Sequence, residues 1–119
     1  MLLTVLRGDS TTWTFQVIED GLPRDITGDF IRFTIKTDPD DLDSVAILRL
    51  SNTTSGVLIL LPQTGDTKGK FTVTLSHIDT KLYVKNLRKF WDVQMTLADG
   101  SVVTPFYGDI FFAADVTKN

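Results

Sequence analysis

Residues 90–97 read Phe-Trp-Asp-Val-Gln-Met-Thr-Leu, and from Trp91 onward they alternate without a break. Trp91, Val93, Met95 and Leu97 fall on one side; Asp92, Gln94 and Thr96 fall on the other. A period of two over that length marks a half-buried strand. Ala98-Asp99-Gly100-Ser101 comes next. Asp-Gly between alternating runs signals a hairpin in which both central residues take φ > 0. Two more extended runs, 102–107 and 110–116, complete a three-strand closing unit between Leu87 and Thr117.

The same period recurs upstream. Trp13, Phe15 and Val17 share one face of a strand over 12–18, and Ile31, Phe33 and Ile35 share one face of 30–36, with Arg32, Thr34 and Lys36 outward. Phe71, Val73 and Leu75 do the same over 71–75. The link between the first two of these strands, residues 19–29, is long enough to cross from one sheet to another. Runs at 2–6 and 45–50 add strands. The run 57–61, Val-Leu-Ile-Leu-Leu, has no polar alternate, which predicts a strand covered on both faces or packed on a partner. Only 78–87 has helical character, one turn at most, with Ser76 or Asp79 as its cap. About eight strands punctuated by Asp, Gly and Pro predict an all-β fold of antiparallel strands, a sandwich or a barrel.

At 119 residues, the chain has room for one domain, 1–119, with enough buried surface to fold without staples. It contains no cysteine, which rules out disulfides, thiolate metal sites and a cysteine nucleophile. No apolar run approaches the ~20 residues of a membrane helix. The opening Met-Leu-Leu-Thr-Val-Leu-Arg carries its basic residue after the apolar ones, unlike a secretory leader, so synthesis and retention in the cytoplasm are expected. A net charge of −3 argues against a general nucleic-acid binder.

Each chemical candidate has a plainer explanation beside it. Arg7-Gly8-Asp9 spells an integrin-binding tripeptide, but Gly-Asp after a strand is ordinary turn chemistry. Asp38, Asp40, Asp41 and Asp43 offer oxygen ligands for a cation such as calcium, yet the spacing lacks the glycine and final glutamate of an EF-hand loop, so a solvated loop is expected. His77 is the only histidine, Asp79 is too near to orient it, and there is no Gly-x-Ser-x-Gly elbow. Lys81, Lys85, Arg88 and Lys89 form one basic cluster among Leu82, Tyr83 and Leu87, read as a solvated edge. Asn52-Thr53-Thr54 fits a glycosylation sequon. Trp13 and Trp91 are possible sugar-stacking platforms, but both lie in phase with the apolar side of their strands, which predicts burial. No enzyme activity, cofactor, metal or small-molecule substrate is expected.

A wider pattern runs through these elements. Arg7-Gly8-Asp9-Ser10 leads into Trp13-Thr14-Phe15, and Asp25-Ile26-Thr27-Gly28 precedes Ile31-Arg32-Phe33-Thr34-Ile35-Lys36. Phe90-Trp91-Asp92-Val93-Gln94, Asp99-Gly100, Thr104, Gly108-Asp109-Ile110 and Asp115-Val116-Thr117 close it. This layout resembles the N-terminal domain of tailed-phage baseplate upper proteins and related small tail proteins, with Trp91 where tyrosine or phenylalanine is expected. The resemblance implies an immunoglobulin-like sandwich that assembles with copies of itself and with other virion proteins, made in the host bacterial cytoplasm and located in the virion. The end of the chain at Asn119 favours a stand-alone structural subunit of tail or baseplate. A capsid cement or head-completion protein is the alternative, and a carbohydrate-binding module a more distant one. The candidate interface residues are Tyr83, Phe106, Tyr107, Phe111 and Phe112, and the closing unit is expected to supply the outer, assembly-facing edge.

Overall fold

The computed structural model describes residues 2–6, 8–38, 40, 46, 48–81 and 87–113. Its strands are β1 (Leu2–Leu6), β2 (Thr11–Gln16), β3 (Ile18–Glu19), β4 (Leu22–Pro23), β5 (Phe30–Lys36), β6 (Leu48–Ser51), β7 (Val57–Ile59), β8 (Lys70–Leu75), β9 (Leu87–Thr96) and β10 (Val102–Ala113). One layer has five strands in the order β1-β10-β9-β5-β6, and the other has three in the order β2-β8-β7. The nine runs read from the sequence give these eight strands, and β3 and β4 add a small separate ribbon. The fold is an all-β sandwich, and the connection from β2 to β5 crosses between its layers as expected.

Alternation places the core. Ile31, Phe33 and Ile35 of β5, Phe71, Val73 and Leu75 of β8, and Val93 and Met95 of β9 are fully buried, with Trp91 nearly so. Leu3 and Val5 bring β1 into the same cluster. The outward set on β5 behaves differently from the sequence expectation, since Thr34 and Lys36 are buried and Arg32 is half-buried. Their strand lies inside the sheet, so neighbours shield them on both sides. Thr34 Oγ1 donates to Asp92 Oδ1 at 2.6 Å and Arg32 Nη2 to Gln94 Oε1 at 2.6 Å, each directly across the ladder.

Four expectations change. The runs 102–107 and 110–116 are one strand as far as Ala113, because Gly108 and Asp109 stay paired with Trp91 and Phe90 and so do not break it. The closing unit forms the sheet edge only along residues 102–108 of β10. β1 returns parallel to β10, from Leu2 opposite Asp109 to Leu6 opposite Ala113, and takes the edge itself. Of the two alternatives for the run 57–61, coverage on both faces is the one that fails: Val57 is buried and Leu58 of β7 is 64% exposed, because the outer face of each layer has no further layer over it. Finally, Gly100 has φ 88° while Asp99 stays out of the left-handed region. Gly100 N–H bonds Leu97 O and Leu97 N–H bonds Ser101 O, which is the longer hairpin loop with a single left-handed glycine rather than the two-residue turn. The two-residue turn occurs instead at Asp20-Gly21 (φ 52° and 79°), joining β3 to β4.

Helix α1 (His77–Lys81) is the single expected turn, and Ser76 is its cap. Asp79 N–H donates to Ser76 Oγ and Ser76 N–H to Asp79 Oδ2, both at 3.1 Å, a reciprocal capping box.

Where ladders end, side chains replace them. The buried carboxamide of Gln63 accepts from Ile26 N at 3.1 Å and Gly69 N at 2.9 Å, and donates to Leu60 O at 2.6 Å and Thr67 O at 3.1 Å. One side chain thus satisfies backbone groups from both connections at this end of the sandwich. Gln63→Leu keeps the volume and strands those groups, so urea denaturation is expected to show a loss of about 2–4 kcal/mol.

Asp29 is buried beside Arg24, whose Nη2 lies 3.5 Å from Oδ2. Burial raises its pKa above the ordinary value; Arg24 opposes the shift and Asp25 adds to it. With the folded value above the unfolded one, its stabilising share is complete below 3.8 and is lost as pH rises through the raised value. Asp29→Asn stays neutral, so its melting temperature is expected to gain on the parent between about pH 4 and pH 7.

Candidate interaction surface

Strand β10 sorts the aromatic candidates by parity. Phe112 is fully buried and belongs to the core, so it is no surface anchor. Phe106 also points inward, its ring 5.0 Å from Phe15 and 6.2 Å from Phe71. Tyr107 and Phe111 lie on the opposite face, Tyr107 71% exposed and Phe111 half-buried. Tyr83 lies outside the described residues. The two inward and two outward rings differ only by odd and even numbering along one strand, a signal already present in the sequence.

The outer face of the five-stranded layer gathers further residues that the sequence does not single out. Register sets Lys36 opposite Phe90, Phe90 opposite Asp109, and Asp109 opposite Leu2, one row across four strands. The next row runs Thr34, Asp92, Tyr107. Lys36, Phe90, Asp92, Tyr107 and Asp109 line a cavity of about 260 Å³, floored by the backbone at Trp91 and Gly108. Trp91 itself is buried, and its Nε1 donates to Asp109 O at 2.9 Å, tying β9 to β10 beneath the cavity. Asp109 also meets Arg88 Nη1 at 3.1 Å; exposed pairs of this kind contribute about 0–1 kcal/mol. The cavity has two aromatic walls, an ammonium and two carboxylates, a composition that suits the apolar side chain of a partner with a polar rim around it.

The remaining candidates resolve into structural roles. Arg7 lies outside the described residues, and Gly8 N–H donates to Thr80 Oγ1, which donates to Asp9 O, both at 2.9 Å. That loop is pinned to α1. His77 is exposed, and its N–H bonds Ser10 Oγ, while Asp79 is engaged in the capping box. Of the acidic loop, Asp38 accepts from Asp40 N at 3.0 Å, a local turn, and Asp41 and Asp43 lie outside the described residues. Lys85 and Leu82 of the basic cluster also lie outside them; Lys89 Nζ reaches Thr37 Oγ1 at 3.2 Å. Asn52 of the sequon accepts from Ile31 N at 2.8 Å and donates to Asp29 O at 3.1 Å, so its amide clasps the start of β5. Trp13 is half-buried with its ring stacked 6.3 Å from Phe33, and neither tryptophan offers a free platform. Among the described residues no helix is long and apolar enough to cross a membrane.

Comparison with protein-family models and with curated proteins returns no match.

The division between core and surface aromatics has a direct readout. Phe112→Ala is expected to lower stability by about 3–5 kcal/mol, whereas Tyr107→Ala stays within about 0.5 kcal/mol of the parent in the same denaturation experiment.

Proposed function

We infer that the chain is a structural component of a tailed bacteriophage virion, a tail or baseplate subunit that works by assembling with copies of itself and with other virion proteins. The observation that carries this reading is the outer sheet face, where Tyr107 is 71% exposed beside a cavity walled by Phe90 and continues to Leu2 and Leu6 at 54% and 45%. Exposed aromatic and aliphatic groups ringed by charge are the anatomy of a protein interface, in which a few aromatic anchors dominate the energy. Such a face on a rigid sheet, rather than on loops, suits a building block that binds without changing shape. The link to phage rests on the sequence resemblance from Arg7 to Thr117. Purified tailed particles from the source of this chain are expected to contain it by mass spectrometry and to retain it in the tail fraction after heads and tails are separated. Its absence from particles overturns the reading, and recovery with heads alone replaces the tail assignment with a capsid cement or head-completion role.

A further inference from the structure

The ends of the two layers differ in how well they resist an added strand. β7 is three residues long, and Gly56 before it already bridges Ser51 at the end of β6. β6 is four residues long and carries Arg49. β2 lacks charge and proline and keeps an unbroken register with β8, but the residues it turns fully to solvent are Thr12 and Thr14, so an added strand would find no apolar outer face there. The part of β10 that extends beyond β1 contains Pro105 and a register irregularity between Val103 and Phe106. Short length, charge, proline and bulges are the usual means of blunting an edge. β1, Leu2-Leu3-Thr4-Val5-Leu6, has none of them: it lacks charge and proline, and its register with β10 is unbroken. It is apolar on both faces, with Leu3 and Val5 in the core and Leu2 and Leu6 about half exposed.

We propose that β1 pairs antiparallel with β1 of a second copy about a two-fold axis through Thr4, joining two five-stranded layers into one continuous sheet. The strand is its own complement. With Thr4 opposite Thr4, Leu2 meets Leu6 of the second copy and Leu3 meets its Val5. Residues 2, 4 and 6 share the outer face and 3 and 5 the inner, so every opposed pair lies on one face, and a one-residue slip would set core residues against solvent-facing ones. The axis stands normal to the sheet, so both outer faces, with their Phe90–Tyr107 cavities, open on the same side. The contact is isologous and closes at two, which removes the edge instead of propagating it. A five-residue pairing is smaller than the ~800 Å² per partner of a standard interface, so the association is concentration-dependent.

This pairing deepens the assembly reading and rests on it only for the contact's role in a particle. Sedimentation of the whole chain tests it, with melting temperature as the check on folding. The parent is expected to pass from monomer to dimer as its concentration rises to about 0.5 mM. Thr4 is exposed, so Thr4→Lys and Thr4→Glu should melt like the parent yet each remain monomeric, because like charges meet on the axis. Mixed in equal amounts they should dimerise, since lysine then faces glutamate. The chain has no cysteine, so Thr4→Cys should give an oxidised dimer while Thr12→Cys on the β2 edge should not. A parent that stays monomeric throughout, charged variants that dimerise as the parent does, or cross-linking at Thr12 and not at Thr4 overturns the proposal. None of these outcomes bears on whether the chain is found in particles, so the two readings fail separately.

Discussion

The contact on which the structure depends is the one Phe15 makes across the sandwich. Its ring lies 5.4 Å from Phe71 within its own layer, and 5.7 Å and 5.0 Å from Trp91 and Phe106 of the opposite layer. Phe33 then stacks on Trp91 at 5.8 Å and on Trp13 at 6.3 Å. Aromatic pairs at such distances contribute about 0.5–1.5 kcal/mol beyond the area they bury. A three-stranded layer such as β2-β8-β7 has little stability without something to cover its apolar face. The shared rings make the two layers one core.

That core leaves the sandwich ends to be closed by other means. A loop that turns between layers carries backbone donors and acceptors with no ladder to meet them. Gln63 and Asn52 meet them with side-chain amides, and Ser76 with Asp79 meets those of α1. Each of these residues has a polar side chain that composition alone would assign to the surface. Their fixed positions hold the ends of β5 and β8 in register, and through β5 they hold Lys36 beside Phe90.

The candidate surface was only partly legible in the sequence. Parity along β10 separates Tyr107 and Phe111 from Phe106 and Phe112 once the strand is known to be continuous. Reading a break at Gly108-Asp109 hides that rule, because each half is then free to choose its own phase. Phe90 and Leu2 offered no local signal, and alternation said of Lys36 only that it points outward. They belong to the surface because β5, β9, β10 and β1 set them in one row, and strand order is a property of long-range pairing.

Local pattern along the chain was enough to say which residues lie inside. Period-two alternation at 30–36, 71–75 and 90–97 is enforced by backbone geometry that sends successive side chains to opposite faces, and burial followed it. The all-β class followed from the same runs, and the helical turn expected within 78–87 is found at His77–Lys81. Long-range pairing set who stands beside whom: that β1 returns parallel to β10 and covers its last five residues, that Leu58 of β7 faces outward uncovered, and that Thr34 and Lys36 are shielded although they point away from the core. Alternation is local and repeats every two residues. Neighbourhood in a sheet is settled by hydrogen bonds between segments as far apart as residues 2 and 109, where no local period reaches.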